Sequence, residues 1–477
     1  MQTFLWHDYE TFGADPRRDR PAQFAAVRTD ADLNETGEVV EMFCQPTPDF
    51  LPDAQACLIT GITPQVCLQR GVPEYVFARG VEAALGQPHT IGVGYNSIRF
   101  DDEVTRFLLW RNLIDPYARE WQNGCGRWDL LDVVRTAYAL RPDGMEWPKH
   151  EDGRASFRLE HLTAANGIRH DAAHDAVSDV RATIALARLL RQRQPRLFEF
   201  CLALHRKDRV AAEMGLPTTP QTAKPFLHVS GMFGPERGCL AVMWPLASHP
   251  VNRNEVIAWD LEQDPRVLGD LSATQIRERM FTRADALPEG VGRLPIKTIH
   301  LNRAPIVIGN CRTLSPAQAE RWGVDAARTT RHAEWAQALP DLSAVWAQVF
   351  QSPQAAAEPR DVDLDLYGAL VGNADRRRLQ RLRALTPQEL ALDRTGFDDE
   401  RLTELVWRYR ARNFPQSLSA DEALRWQQFC QARVIDGHGG ARSAAQLLEQ
   451  ADTLFETADE RQAAILEALV DYASALT

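Results

Sequence analysis

Apolar and polar positions change their period several times along the first 190 residues. Phe4-Leu-Trp6 is a continuous apolar run, as in a buried strand, and it passes at once into His7-Asp-Tyr-Glu10. Similar short runs predict strands over 2–9, 22–30, 38–45 and 89–96, the last being His89-Thr-Ile-Gly-Val-Gly-Tyr-Asn96. Helical spacing predicts helices over 74–86, 102–113, 129–139, 157–166 and 176–192. Asn34 and Gly37 mark a turn between the second and third strands, so the first three strands should form an antiparallel meander. Alternating helices and strands follow, which implies parallel additions to the same sheet. Ala165-Asn-Gly167 is a helix stop, because Asn and Gly tolerate the left-handed terminal conformation.

The texture then changes twice. Prolines at 195, 217, 220 and 225 read as connecting sequence, and 226–310 carries short apolar runs split by Gly, Pro and Asn. Gly238-Cys-Leu-Ala-Val-Met-Trp244 and Glu255-Val-Ile-Ala-Trp259 are two of these, with Trp244 and Trp259 expected in a core. After the joint Gln351-Ser-Pro-Gln-Ala-Ala-Ala-Glu-Pro359 the chain reads as helical to its end. The predicted domains are 1–192 (α/β), 195–348 (β-rich) and 351–477 (α-helical). A length of 477 residues fits two to four domains, since one core does not grow to that size.

Composition narrows the class. Hydrophobic content of 44% with 25% charged residues is ordinary globular usage. No stretch reaches the ~18 apolar residues of a membrane span, and the N-terminal run, broken by His7 and Asp8, is not a signal peptide. The eight cysteines are scattered, without a CxxC pair or zinc-like histidine spacing, so a reducing cytoplasmic setting is expected. A net charge of −11 argues against a general nucleic-acid coating protein but leaves room for a local basic groove.

Chemistry concentrates in five residues. Strand alternation puts Asp8 and Glu10 on one face, where each raises the other's pKa unless a cation lies between them. Asp101, in Gly94-Tyr-Asn-Ser-Ile-Arg-Phe-Asp-Asp-Glu103, sits at a strand-to-helix junction; Asp102 can cap the helix while Asp101 faces the site. His174-Asp-Ala-Val-Ser-Asp179 opens the helix at 176, with Asp175 as its cap and Asp179 one turn in. Four carboxylates and one histidine suit a two-metal phosphoryl-transfer centre. All-oxygen carboxylate ligation favours Mg²⁺, with Mn²⁺ able to substitute, and a histidine of intrinsic pKa ~6.5 can take the proton of the attacking water.

The ordered set Asp8-x-Glu10, Asp101 and His174-x4-Asp179 resembles the DEDD proofreading-exonuclease superfamily, in its histidine-containing branch on a ribonuclease-H-like fold. His7–Gly13, Asp19–Ala26, Leu58–Pro64, Arg127–Val133, Ser156–Leu162, Ala173–Ala176, His228–Gly234 and Tyr409–Pro415 further resemble the bacterial exodeoxyribonuclease I family, over essentially the whole chain. The resemblance implies a mixed-sheet exonuclease domain, a small Src-homology-3-like barrel and a helical C-terminal domain, closing a C-shaped channel around the strand. It implies processive 3′→5′ degradation of single-stranded DNA to 5′-mononucleotides with two Mg²⁺, in DNA repair and recombination. Asp8, Glu10 and Asp179 would hold the ion that activates water, Asp8 and Asp101 would contact the second, and His174 would be the base. The implied partners are a single-stranded DNA 3′ end and the acidic C-terminal tail of single-strand DNA-binding protein; the expected form is a monomer.

Other residues keep two readings. Asp129 and Asp132 are rival carboxylates better placed to cap or face solvent. Glu10, Arg158 and Phe157 are candidate substrate contacts, an arginine and an aromatic being suited to phosphate and base, with solvated and core positions as the alternative. Arg408 and Arg412 share a helix face near Trp407 and Tyr409, either snorkelling over core aromatics or binding DNA or a partner. Arg376, Arg377, Arg378, Arg381 and Arg383 form the densest basic run, with a solvated face the default. An exoribonuclease with the same site and a non-catalytic single-strand DNA-binding protein are the alternative functions.

Overall fold

The computed structural model describes residues 1–169, 176–218, 222–351 and 360–477. Two units emerge: Met1–Gly126 with His170–Ile184 and Ala357–Thr477, and Arg127–Arg169 with Ala185–Ala356.

In the first unit, strands β1 (Thr3–Thr11), β2 (Pro21–Thr29) and β3 (Glu35–Phe43) form the expected antiparallel meander. Strand β4 (Thr90–Gly94) adds to the other edge of β1 in parallel, pairing Thr3–Trp6 with Thr90–Val93. The turn differs in one detail. Asp30 Oδ1 accepts the N–H groups of Asp32 and Asn34, so an Asx-type turn reverses the chain, while Gly37 lies inside β3. Helices α1 (Ala54–Thr60) and α2 (Pro64–Arg70), which periodicity did not reveal, are seven residues each, too short to show an apolar stripe. Helices α3 (Glu74–Leu85) and α4 (Asp101–Arg111) match expectation and pack Phe77, Val81, Val104 and Leu108 against Leu5, Tyr9 and Phe24 of the sheet.

The helical tail belongs to this unit because it shares its cores. Leu447 and Ala451 of helix Ala444–Phe455 and Leu466 and Leu469 of helix Glu460–Leu476 are buried with Phe12, Leu51, Ala54 and Cys57. Truncating one such leucine to Ala should cost about 2–5 kcal/mol. A second core joins Phe107 and Trp110 of α4 to Leu379, Leu402 and Leu405.

Charges are buried between these layers. Arg412 Nη2 donates to Asp49 Oδ2 at 2.8 Å and its Nη1 to Asp363 Oδ1 at 3.0 Å. Arg408 Nη1 reaches Asp363 at 3.1 Å, Arg20 lies 3.7 Å from Asp49, and Arg433 Nη1 donates to Asp361 at 2.8 Å. Burial alone would raise the Asp49 and Asp363 pKa values, but the arginines hold both far below the usual carboxylate range. Arg408 and Arg412 are buried ion-pair partners, and Arg408 also lies 4.4 Å from the Phe429 ring centroid. The reading over core aromatics is therefore the nearer of those the sequence left open, with carboxylates in place of solvent around the cations. The basic run is likewise largely neutralised: Arg376 faces Asp115, Arg378 Asp375, Arg381 Asp393 and Arg383 Glu82.

In the second unit, β5 (Gly126–Asp129) leads into helix Leu130–Leu140. The proline-rich stretch is not purely connecting, since Pro195 occupies the first turn of helix Pro195–Ala203, where its missing N–H costs nothing. Strands β6 (Phe226–Val229), β7 (Leu240–Ser248), β8 (Glu255–Asp260), β9 (Ile296–His300) and β10 (Ile306–Ile308) form an antiparallel sheet of order β10-β6-β7-β8-β9. Pro245 is tolerated in β7 because β6 ends opposite Met243 and the β8 pairing shifts register just beyond. Trp244 and Trp259 face each other across β7 and β8 and are buried, as expected.

Candidate active site

Strand β1 carries its neighbours unequally. On one side it pairs with β2 through Asp8↔Ala25 and Glu10↔Gln23; on the other, β4 pairing stops at Trp6↔Val93. The stretch from Asp8 to Glu10 thus overhangs β4. Helix α4 fills the gap with its first residue, Asp101, whose Oδ1 accepts the Tyr9 N–H at 3.2 Å. A backbone donor without a strand partner is thereby satisfied by a carboxylate. Asp179 enters from helix Ala176–Arg193, one turn from its start, anchored by buried Ala176 and Val180 on either side.

Asp8, Glu10 and Asp179 each offer a carboxylate oxygen, and the three oxygens lie within 4.8 Å of one another. Asp8 has its pKa pushed up to about 7, first by burial and then by the Asp179 charge, with the Tyr9 N–H pulling the other way. A carboxylate that costly to ionise beside two more forms a donor set whose charged form a bound cation would stabilise. Hard oxygen donors at this spacing fit a divalent cation such as Mg²⁺ or Mn²⁺. On the opposite face of β1, His7 is buried and its pKa falls to about 4, through burial and then Arg119, so it stays neutral.

The structure places the remaining sequence candidates as follows. His174 and Asp175 lie outside the described residues. Asp102 does not cap α4: the N-cap is Phe100, without a side-chain bond, and Asp102 instead pairs with Arg119 Nη2 at 2.5 Å. No sequence signal marked that pair, because Arg119 stands in a short 3-10 turn, Ala118–Glu120, seventeen positions on. Asp129 caps helix Leu130–Leu140 through Leu131 N–H at 3.0 Å, and Asp132 pairs with Arg135 at 2.7 Å. Both rivals are thus accounted for. In the second unit, Arg158 is exposed 3.9 Å from Glu160, and Phe157 is half-buried, edge-on to Tyr138 with ring centroids 5.2 Å apart.

An overhanging acidic strand end and two helices that each bring a carboxylate near their start, on a mixed sheet, define a metal-dependent nuclease of the exonuclease class. Residues 5–187 match the model described as Exonuclease, 205–352 the Exonuclease I SH3-like domain, and 360–476 the Exonuclease I C-terminal domain. Exodeoxyribonuclease I of Escherichia coli (strain K12) is 42% identical over 99% of this chain and 98% of its own length. Exonuclease I from Methylocaldum szegediense superposes with a TM-score of 0.93 at 46% identity, covering 100% of both chains. E. coli Exonuclease I in complex with a dA16 oligonucleotide gives a TM-score of 0.92 at 41% identity, again over 100% of both chains. An ExoI/SSB-Ct complex gives 0.92 at 40% identity, with the same coverage. The chain belongs to the exodeoxyribonuclease I family, and it is an exonuclease with the fold expected of that family. No helix among the described residues is long and apolar enough to cross a membrane.

Proposed function

We propose that this protein degrades single-stranded DNA from its 3′ end, releasing 5′-mononucleotides, at a two-metal site formed by Asp8, Glu10, Asp101 and Asp179. The observation that carries the reading is the cluster of three carboxylate oxygens within 4.8 Å. Asp8, Glu10 and Asp179 would hold one ion, and Asp8 with Asp101 would contact the other. Bound there, two divalent ions would supply acidity to an attacking water and neutralise charge on the leaving oxygen. The residues' own part is electrostatic and geometric. Four carboxylates roughly balance two dications, so the loaded site attracts a phosphodiester instead of repelling it. A cation beside Asp8 would favour its ionised form, which burial and Asp179 both penalise. His174, five positions before Asp179, takes the proton of the attacking water; a neutral imidazole near pH 7 is suited to that step.

Support for DNA as substrate comes from relatives solved with oligonucleotides. Support for the tail of single-strand DNA-binding protein as partner comes from the ExoI/SSB-Ct complex. Three successive family matches support a functional division into 1–192, 195–348 and 351–477. Arg158 and Phe157 are proposed contacts to the strand, the former for its exposed cation and the latter as a half-buried aromatic ring beside it.

The test is digestion of matched DNA and RNA strands labelled at either end, with Mg²⁺, with Mn²⁺ and with chelator. Shortening from the 3′ end of DNA, release of 5′-mononucleotides and silence in chelator are expected. Preference for RNA would place the protein with the exoribonuclease alternative instead.

A further inference from the structure

The face of β1 turned away from the acidic cluster carries His7 and Tyr9, and helix α4 covers it. Tyr9 shares a 3.0 Å hydrogen bond between its hydroxyl and Thr105 Oγ1. The first turn of α4 holds three successive carboxylates, Asp101, Asp102 and Glu103, favoured there by the helix dipole but mutually repelling. The N-cap residue, Phe100, makes no side-chain bond to this helix start. The 3-10 turn Ala118–Glu120 holds it from outside. Arg119 pairs with Asp102, and the Glu120 carboxylate accepts Arg106 Nε at 2.7 Å and Nη2 at 3.0 Å. Arg106 in turn donates to Glu103 at 2.8 Å. Two ion pairs of opposite polarity therefore clasp the first turns of α4 from one short segment.

Arg119 and Asp102 are 4% and 1% exposed, so the pair is a full burial of charge. Such pairs contribute little net stability over apolar residues of similar volume; what they can supply is a defined geometry. Arg119 Nη1 has no hydrogen-bond partner among the described residues, nor has either ring nitrogen of His7. Both groups flank Gly92, where a Cβ would stand 3.5 Å from Arg119 Nη1 and 3.5 Å from His7 Nε2. Those are ordinary contact distances, so the Arg119 guanidinium and the His7 ring pack side by side against this strand position, where the tight neighbour of a Cβ would be Leu85 Cδ2 at 3.1 Å. The geometry so defined is that of the turn bearing Asp101, which meets β1 at the Tyr9 N–H.

We propose that Arg119 is a positioning residue: by holding Asp102, it sets where Asp101 meets β1 and so tunes the affinity of the acidic site for its divalent cation. The inference rests on the function proposed above. Its test compares Arg119→Met, Arg119→Lys and the apolar pair Arg119→Met/Asp102→Leu in the full chain. Melting temperature, Mn²⁺ affinity by electron paramagnetic resonance, and kcat and KM on a single-stranded oligonucleotide are measured. Loss of an outer residue that orients ligands typically weakens a metal site by about 10–100-fold. Arg119→Met should weaken Mn²⁺ by at least about tenfold and lower kcat with KM changed less than about twofold. Arg119→Lys should recover part of both. The double variant, with no unpaired buried charge, should regain the melting temperature and not the Mn²⁺ affinity, and it decides the matter if Arg119→Met fails to fold. Wild-type Mn²⁺ affinity in a double variant, or a folded Arg119→Met with unchanged affinity and kcat, overturns the proposal. A wild-type protein that binds no Mn²⁺ and digests no strand would instead strike the parent reading.

Discussion

Two groups of carboxylates in the first unit, one fully buried and one half-buried, show opposite behaviour. Asp49 and Asp363 are surrounded by Arg20, Arg408, Arg412 and Arg433, and their pKa values lie far below normal. Asp8 faces Asp179 across a cluster of carboxylate oxygens, and its pKa rises. Burial penalises the charged form in both places; the sign of the outcome depends on whether the protein supplies the cation. Where it does, the carboxylates join layers of the fold. Where the neighbouring charge is another anion, the ionised form is penalised and a bound divalent cation would relieve it. A buried carboxylate is thus a functional signal only once its partners are known.

The largest expected effect separates the two groups by what they do. Asp179→Ala should lower Mg²⁺-dependent hydrolysis by about 10³–10⁵-fold, the scale seen when one member of a catalytic unit is removed. It should leave the melting temperature and DNA binding nearly intact. Undiminished hydrolysis would sink the site assignment, and a wild type that binds without hydrolysing would favour the non-catalytic reading. Asp363→Ala should do the reverse. It leaves Arg412 with a broken buried network, at about 3–5 kcal/mol of stability. Denaturant unfolding measures this; activity of the folded fraction should persist.

Asp8→Asn sharpens the contrast further. Without metal at pH 8, it should stabilise the protein by about 1–3 kcal/mol, since each pKa unit corresponds to about 1.4 kcal/mol. It should also abolish the gain in melting temperature on adding Mg²⁺. The sign follows from linkage. A carboxyl whose folded pKa is raised binds its proton more tightly in the native state, so it costs stability increasingly as pH climbs from the unfolded value of 3.8 towards about 7. For Asp49 and Asp363 the folded pKa is depressed. Their contribution is complete above the unfolded value of 3.8 and is lost as pH falls below it. Melting curves between pH 3 and 8, with and without Mg²⁺, would show both limbs; a single flat profile would contradict the contrast.

The smallest effect is one of salt. Buried pairs are weakly screened, so raising NaCl from about 0.1 to 0.5 M should move the melting temperature by no more than about 2 °C. Strand binding should weaken steeply over the same range, with a log–log slope of about −0.7 for each phosphate contacted. A melting temperature that falls in step with DNA affinity would mean that the ion-pair network is solvated.

Much of this was visible in the order of residues. Short apolar runs and helical spacing located β1 to β4, α3 and α4 within a few positions, because local pattern and final burial agree there. Asp8 and Glu10 were legible as a pair because strand alternation is a local rule. Short helices α1 and α2 were hidden, since seven residues do not establish a period. Asp102 was misjudged as a cap: its partner Arg119 is brought to it by the fold, and a carboxylate at a helix start looks alike in either role. The same holds for Arg408 and Arg412, whose helical spacing says which face they share but not whether Asp49 and Asp363 lie against it.

The sequence by itself determined the secondary structure that carries chemistry, the two-residue spacing of Asp8 and Glu10, and the family to which the ordered motifs point. Only the tertiary structure decided which charges meet. It set Asp179 beside Asp8, Asp101 on the Tyr9 N–H and Arg119 on Asp102, and it buried Arg412 between Asp49 and Asp363. The physical reason is range. Alternation and helical period act over a few residues, whereas the sign of a buried group's pKa depends on charges within a few ångströms that come from anywhere in the chain.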